Sequence, residues 1–130
     1  MLQAETKEQF LSDGGHFERS PMYHAIATQD LVDVVNLWRN SEQPPAASLE
    51  ALSHVAEEAL NFLADATHPD GGLALFNDAA YGIALPPDVL RGYGARVLGA
   101  AGAASARPDG TVLISHPSTG YYVFARAATT

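Results

Sequence analysis

Asp13-Gly14-Gly15-His16-Phe17-Glu18-Arg19-Ser20-Pro21-Met22-Tyr23-His24 is the stretch that decides how this chain is read. It opens on chain-reversing glycines and closes on a helix start. Glycine supplies the backbone freedom that ends a preceding helix. Ser20-Pro21 offers an N-cap hydroxyl followed by proline at the first helical position. His16, Glu18 and Arg19 lie between these signals, and Tyr23 and His24 follow on the first turn of the new helix. Titratable groups therefore gather at a loop-to-helix junction, where a firm element presents side chains at a surface.

Upstream, residues 1–11 read as a short helix carrying Leu2, Phe10 and Leu11, stopped by Asp13-Gly14-Gly15. Downstream, a helix is expected from Pro21 to Asn40, with Ile26, Leu31, Val34, Val35 and Trp38 at helical spacing. Pro44-Pro45 breaks the chain. Ser48 is expected to cap a third helix, to about Ala66, on which Leu49, Leu52, Val55, Ala56, Ala59, Leu60 and Leu63 make an apolar stripe. His68-Pro69-Asp70-Gly71-Gly72 closes it. The non-periodic stretch Leu73 to Leu85 holds Phe76-Asn77-Asp78, and Pro86-Pro87 opens a last helix to about Leu98.

Residues 99–110 are rich in alanine and glycine and read as a linker. Thr111 to Ser115 and Tyr121 to Phe124 are β-rich runs around a Pro/Ser/Gly turn, which is a hairpin signal. A lone hairpin is marginal in water, so this one reads as the opening of a larger sheet. Asp70-Gly71-Gly72 repeats Asp13-Gly14-Gly15 at a spacing of 57 residues. That echo suits stacked antiparallel helical hairpins. The fold class expected is mainly α, with a C-terminal β-hairpin.

A length of 130 residues is one domain by size. The net charge of -8 disfavours non-specific nucleic-acid binding, which needs Lys and Arg along a face. An acidic ligand would have to be met by a local cluster, and His16, Arg19 and His24 form the one gathering of positive or switchable groups. The absence of cysteine excludes disulfides and thiolate metal sites. His16 and His24 are eight residues apart across a helix start, with no HExxH, so no metal is expected. The glycine-rich pieces match neither a P-loop nor a dinucleotide fingerprint, and no cofactor is expected. No run approaches the roughly 20 apolar residues of a membrane span. The first residues carry no secretory signal.

The string DGGHFERSPMYH is similar to a segment of the heparinase II/III family of polysaccharide lyases. LFNDAAYGI at 75–83 resembles that family's Asn-Asp loop, and STGYYVFAR at 118–126 resembles its first β-sandwich strands. The resemblance implies a partial (α/α) toroid over residues 1–104 and the start of a β-sandwich over 105–130. It also implies that the chain is an incomplete piece, inactive alone, with the remainder of the parent chain as a partner.

The implied activity is β-elimination on an acidic, uronic-acid-containing polysaccharide: heparan-sulfate-like, alginate-like or an exopolysaccharide. The family's catalytic tyrosine falls on Tyr23 and the histidine after it on His24. His16, Glu18, Arg19 and Asn77 become candidates for substrate binding. If the parent follows its family, it works in the periplasm or is secreted. A free phenol has a pKa of roughly 10, so a tyrosine base near neutrality needs cationic or hydrogen-bonding neighbours. Arg19, His24 and His16 are the candidates. The family's carboxylate-neutralising Asn or His, and its β-sandwich histidine, have no counterpart here.

Plainer readings stand beside these. Tyr23 as a half-buried helix residue, His24 as an exposed one, His16 as a contact of the glycine turn and Glu18 as a helix-dipole partner all suit the sequence. Asn77-Asp78 suits an Asx-turn. His54 and His68 read as surface residues, and His116 has no assigned task. The alternative functions are a non-catalytic glycan-binding module, or a helical interaction module whose 49–63 stripe meets a partner.

Overall fold

Proline and apolar spacing set the helices. The computed structural model describes residues 2–99 and 112–125. Its elements are α1 (Leu2–Gln9), α2 (Pro21–Arg39), α3 (Ala46–Asp65), α4 (Pro87–Leu98), β1 (Val112–His116) and β2 (Tyr121–Ala125). The protein is mainly helical. The expected boundary between residues 104 and 105, and nearly all of the Ala/Gly-rich linker, lie outside the described residues.

Ser20 caps α2 as its position suggests, and its hydroxyl accepts the Tyr23 amide. Two expected signals act differently. α3 starts at Ala46 with Pro45 at the N-cap position, so Ser48 lies inside the helix. Its hydroxyl instead accepts the Gln3 side-chain amide at 3.0 Å and ties α3 to α1. α1 ends at Gln9, before the glycines, so Gly14 is not its C-cap. Phe10 and His16 form a β-bridge, and Asp13-Gly14-Gly15 is the tip of the small loop that this bridge closes.

The 57-residue echo holds in three dimensions. The second loop is closed by the bridge Thr67–Leu73, at the same spacing from Phe10–His16. Gly14 and Gly71 share positive φ, 82° and 89°. In each loop the aspartate carboxylate accepts the amide of the second glycine, Asp13 from Gly15 and Asp70 from Gly72. The return paths differ: the second is longer and carries the 75–85 loop before α4 begins.

α3 is the central element, packed on α1, α2 and α4. Its stripe of Leu52, Ala56, Ala59, Leu60 and Leu63 is buried, with Leu49 and Val55 packed at the margin. Burial of each leucine is worth about 1.5–3 kcal/mol. The stripe is therefore core rather than a partner surface. Leu31, Val32 and Val35 meet it from α2, and Leu90 and Leu98 from α4. α2 runs antiparallel to α3, since His24 reaches Ala59 at one end while Arg39 lies beside Leu49 and Ser53 at the other. α4 lies alongside α2, joined by Tyr93 to Asp33 and by Arg39 to the Val97 carbonyl.

β1 and β2 pair antiparallel, from Val112 opposite Ala125 to His116 opposite Tyr121. The hairpin does not stand alone, because its turn is seated on the first loop. Asp13 accepts both the Thr119 amide at 2.7 Å and its hydroxyl at 2.6 Å. His116 meets Asp65 at 3.0 Å, and its ring packs on Phe62.

Gly14 and Gly71 give a paired test. An L side chain in the left-handed region costs about 1–2 kcal/mol. A Cβ on Gly71 meets nothing, whereas one on Gly14 would stand 2.4 Å from the Glu58 carbonyl oxygen. Gly71→Ala should cost about 1–2 kcal/mol, and Gly14→Ala about 1–3 kcal/mol more. Urea unfolding of the two variants checks the difference.

Candidate active site

The junction between the first loop and α2 is built around one imidazole. His24 is buried, 1% exposed. Its Nδ1 accepts the His16 amide at 3.2 Å, so the ring proton must sit on the other nitrogen. Nε2–H then donates to the Ala59 carbonyl at 2.8 Å, with the Thr28 hydroxyl a longer second acceptor at 3.3 Å. Thr28 in turn donates to the His24 carbonyl at 2.7 Å. One neutral ring thus joins α2, the first loop and α3. Phe62 and Phe10 pack on it.

Burial pushes the His24 pKa down to about 4. The hydrogen bond to Ala59 and the charge of Asp13 oppose that fall, and His16 and His116 add to it. His16 is buried as well, and burial lowers its pKa against the opposing charge of Glu18. Its Nδ1 accepts the Glu18 amide at 3.4 Å. Burial disfavours the charged form of His16 and of His24, so of the positive or switchable groups at the junction these two are switched off. Both rings are neutral near pH 7 because water is excluded from them. Of the three gathered groups, Arg19 is the exposed one.

Tyr23 is exposed, at 42%. Glu18 and Arg19 are exposed beside it in sequence. Arg19 has a left-handed backbone, φ 57°, and its carbonyl accepts the Asn77 side-chain amide at 2.8 Å. The Asn-Asp loop is thereby brought to the junction from 58 residues away. Asn77 and Asp78 also have positive φ, 45° and 63°, so the pair forms a turn of its own.

The structure thus joins His16 to His24, Glu18 to His16, and Arg19 to Asn77, while the Tyr23 phenol faces solvent. Asp13, Thr119 and the Ala59 carbonyl support this arrangement and had no assigned role from the sequence. The Asp13 pKa is lowered: burial works to raise it, but the hydrogen bonds from Thr119 and Gly15 outweigh that. His54 and His68 are exposed, as a surface reading expects.

The family description "Heparinase II/III N-terminus" matches residues 1–85, which include the 13–24 junction and the 75–83 loop. No curated protein and no solved structure matches the chain.

The buried ring has a pH signature. Unfolded His24 takes up a proton as pH falls through about 6.5, while the folded ring resists until about 4. Its contribution is complete above pH 6.5, is lost progressively down to about pH 4, and changes no further below that. The loss is of order 3 kcal/mol, and His24→Gln should flatten this part of the profile. Chemical denaturation of both proteins between pH 7 and 4 checks it.

Proposed function

The chain belongs to the heparinase II/III family, and on that premise we propose that it carries the catalytic tyrosine of a lyase that cleaves uronic-acid polysaccharides by β-elimination. The observation that supports this reading is the exposed Tyr23 phenol on the first turn of a capped helix, one residue from a ring that anchors the turn from inside.

In the reaction a base takes the C5 proton of the uronate, and the electrons of the broken C5–H bond form the C4=C5 double bond. The C4–O bond breaks, and the leaving oxygen takes a proton. Donors must stabilise the enediolate that develops as C5 loses its proton. We assign the proton on the leaving oxygen to Tyr23. A phenol donates a proton without first becoming a phenolate, and the burial of His16 and His24 leaves Arg19 as the junction's cation in support of a phenolate. Glu18 and Arg19 are placed to orient substrate. His24 acts through the turn it holds and is a positioning residue. The base that accepts the C5 proton and the groups that neutralise the carboxylate are proposed to come from family regions beyond these residues.

The test uses the parent protein with heparan sulfate, alginate and bacterial exopolysaccharides, following ultraviolet absorption of the new double bond. Tyr23→Phe should lower the rate at least about 100-fold, since it deletes the proton donor while keeping the ring. A rate unchanged by that substitution removes Tyr23 from the chemistry.

A further inference from the structure

The duplicated loop supplies an internal control. In the second copy the Asp70 carboxylate accepts the Gly72 amide, and a Cβ on Gly71 would meet nothing. In the first copy Asp13 accepts the matching Gly15 amide, and its two oxygens also take the amide and the hydroxyl of Thr119. The second copy closes without such a partner among the described residues, so closure does not require the Thr119 bonds. They tie the hairpin turn to the loop. Thr119 is buried in this seat, and a Cβ on Gly15 would overlap its hydroxyl and stand 2.7 Å from the Phe62 ring.

Two routes lead from the seat to His24. The first is main chain. The Gly15–His16 peptide is one rigid plane. Its carbonyl accepts the Leu11 amide at 2.8 Å, and its N–H donates to His24 Nδ1 at 3.2 Å. Asp13 holds the N–H on the other side of Gly15, so a loop that slips from its seat tilts this plane. The second route is a stack of rings. His116, three residues before Thr119, meets Asp65 and packs on Phe62 at 4.5 Å, and Phe62 packs on His24 at 4.7 Å. Energetic coupling between sites runs through contiguous contacts of these kinds. We propose that the hairpin turn governs the Tyr23 site: Thr119, seated on Asp13, is a positioning residue that keeps the His16 amide on His24 and so holds the turn that presents the phenol. The placement of the β1–β2 hairpin then sets the activity of the helical part. The effect on catalysis rests on the lyase reading; the coupling itself does not.

The test is amide hydrogen exchange of this chain, read by NMR, in Thr119→Val and Thr119→Ser. Valine keeps the shape and removes the hydroxyl, and serine keeps the hydroxyl. Thr119→Val should speed exchange of the His16 amide at least about 10-fold, the worth of one hydrogen bond to a carboxylate. Val35 and Leu63, buried in the helical core, should keep their protection. Thr119→Ser should leave His16 protected. Asp13→Asn, which keeps the shape and removes the charge, should repeat the valine pattern from the other side of the contact. Unchanged exchange at His16 overturns the proposal. So does equal acceleration at His16, Val35 and Leu63, because Thr119 would then add to overall stability alone. In the parent protein Thr119→Val should lower kcat about 3- to 10-fold with KM unchanged. A parent that forms product at the same kcat with valine at this position sinks the positioning role alone. Selective loss of His16 protection, with no unsaturated product from the parent, sinks the lyase reading alone.

Discussion

One neutral imidazole holds the junction together. His24 accepts a main-chain hydrogen bond from the first loop and donates one to α3, and each needs a particular protonation state of a particular nitrogen. A buried ring that lost either partner would leave a polar group unpaired, at about 1–3 kcal/mol. Successive helix residues point about 100° apart. With His24 fixed inward, Tyr23 is turned outward, so the anchor of the turn also presents the phenol. Phe62 extends the constraint: it packs on His24 on one side and on His116 of the hairpin on the other.

The duplicated loop shows how one local design takes on two tasks. Both copies use an aspartate, a left-handed glycine and a closing bridge. The first is enclosed, with Glu58 against Gly14, and Thr119 and Phe62 against Gly15. It is closely packed, and the proposed chemistry is attached to it. The second is open around Gly71, and its longer return path carries exposed rings. Asn77 links the two by a single side-chain amide.

Much of the helical frame was legible in the sequence, because its signals are local. Ser20-Pro21 fixes the start of α2 to the residue, and the 49–63 stripe marks the core face of α3. The start of α3 lies ahead of the Ser48 signal: the helix begins at Ala46 behind Pro45 with no side-chain cap, and the Ser48 hydroxyl is taken up by Gln3 on α1. His24 had a readable signal: with Thr28, Leu31 and Val35 it shares the helical stripe that becomes buried. The resemblance gives His24 a catalytic role, which the burial of its ring turns into a proposed positioning role. The seating of the hairpin on Asp13 spans 106 residues, and no local pattern encodes such a contact. The Arg19–Asn77 clamp is equally remote in sequence, although the glycine echo hinted that its two loops were equivalent.

The most direct test is nitrogen-15 NMR of the His24 side chain as pH is lowered. The account predicts a ring with its proton on Nε2 and an unprotonated, hydrogen-bonded Nδ1 at pH 7, still neutral at pH 5. A proton on Nδ1, or titration near the ordinary histidine value, would mean that the ring does not hold the loop to α3, and the presentation of Tyr23 would need another cause.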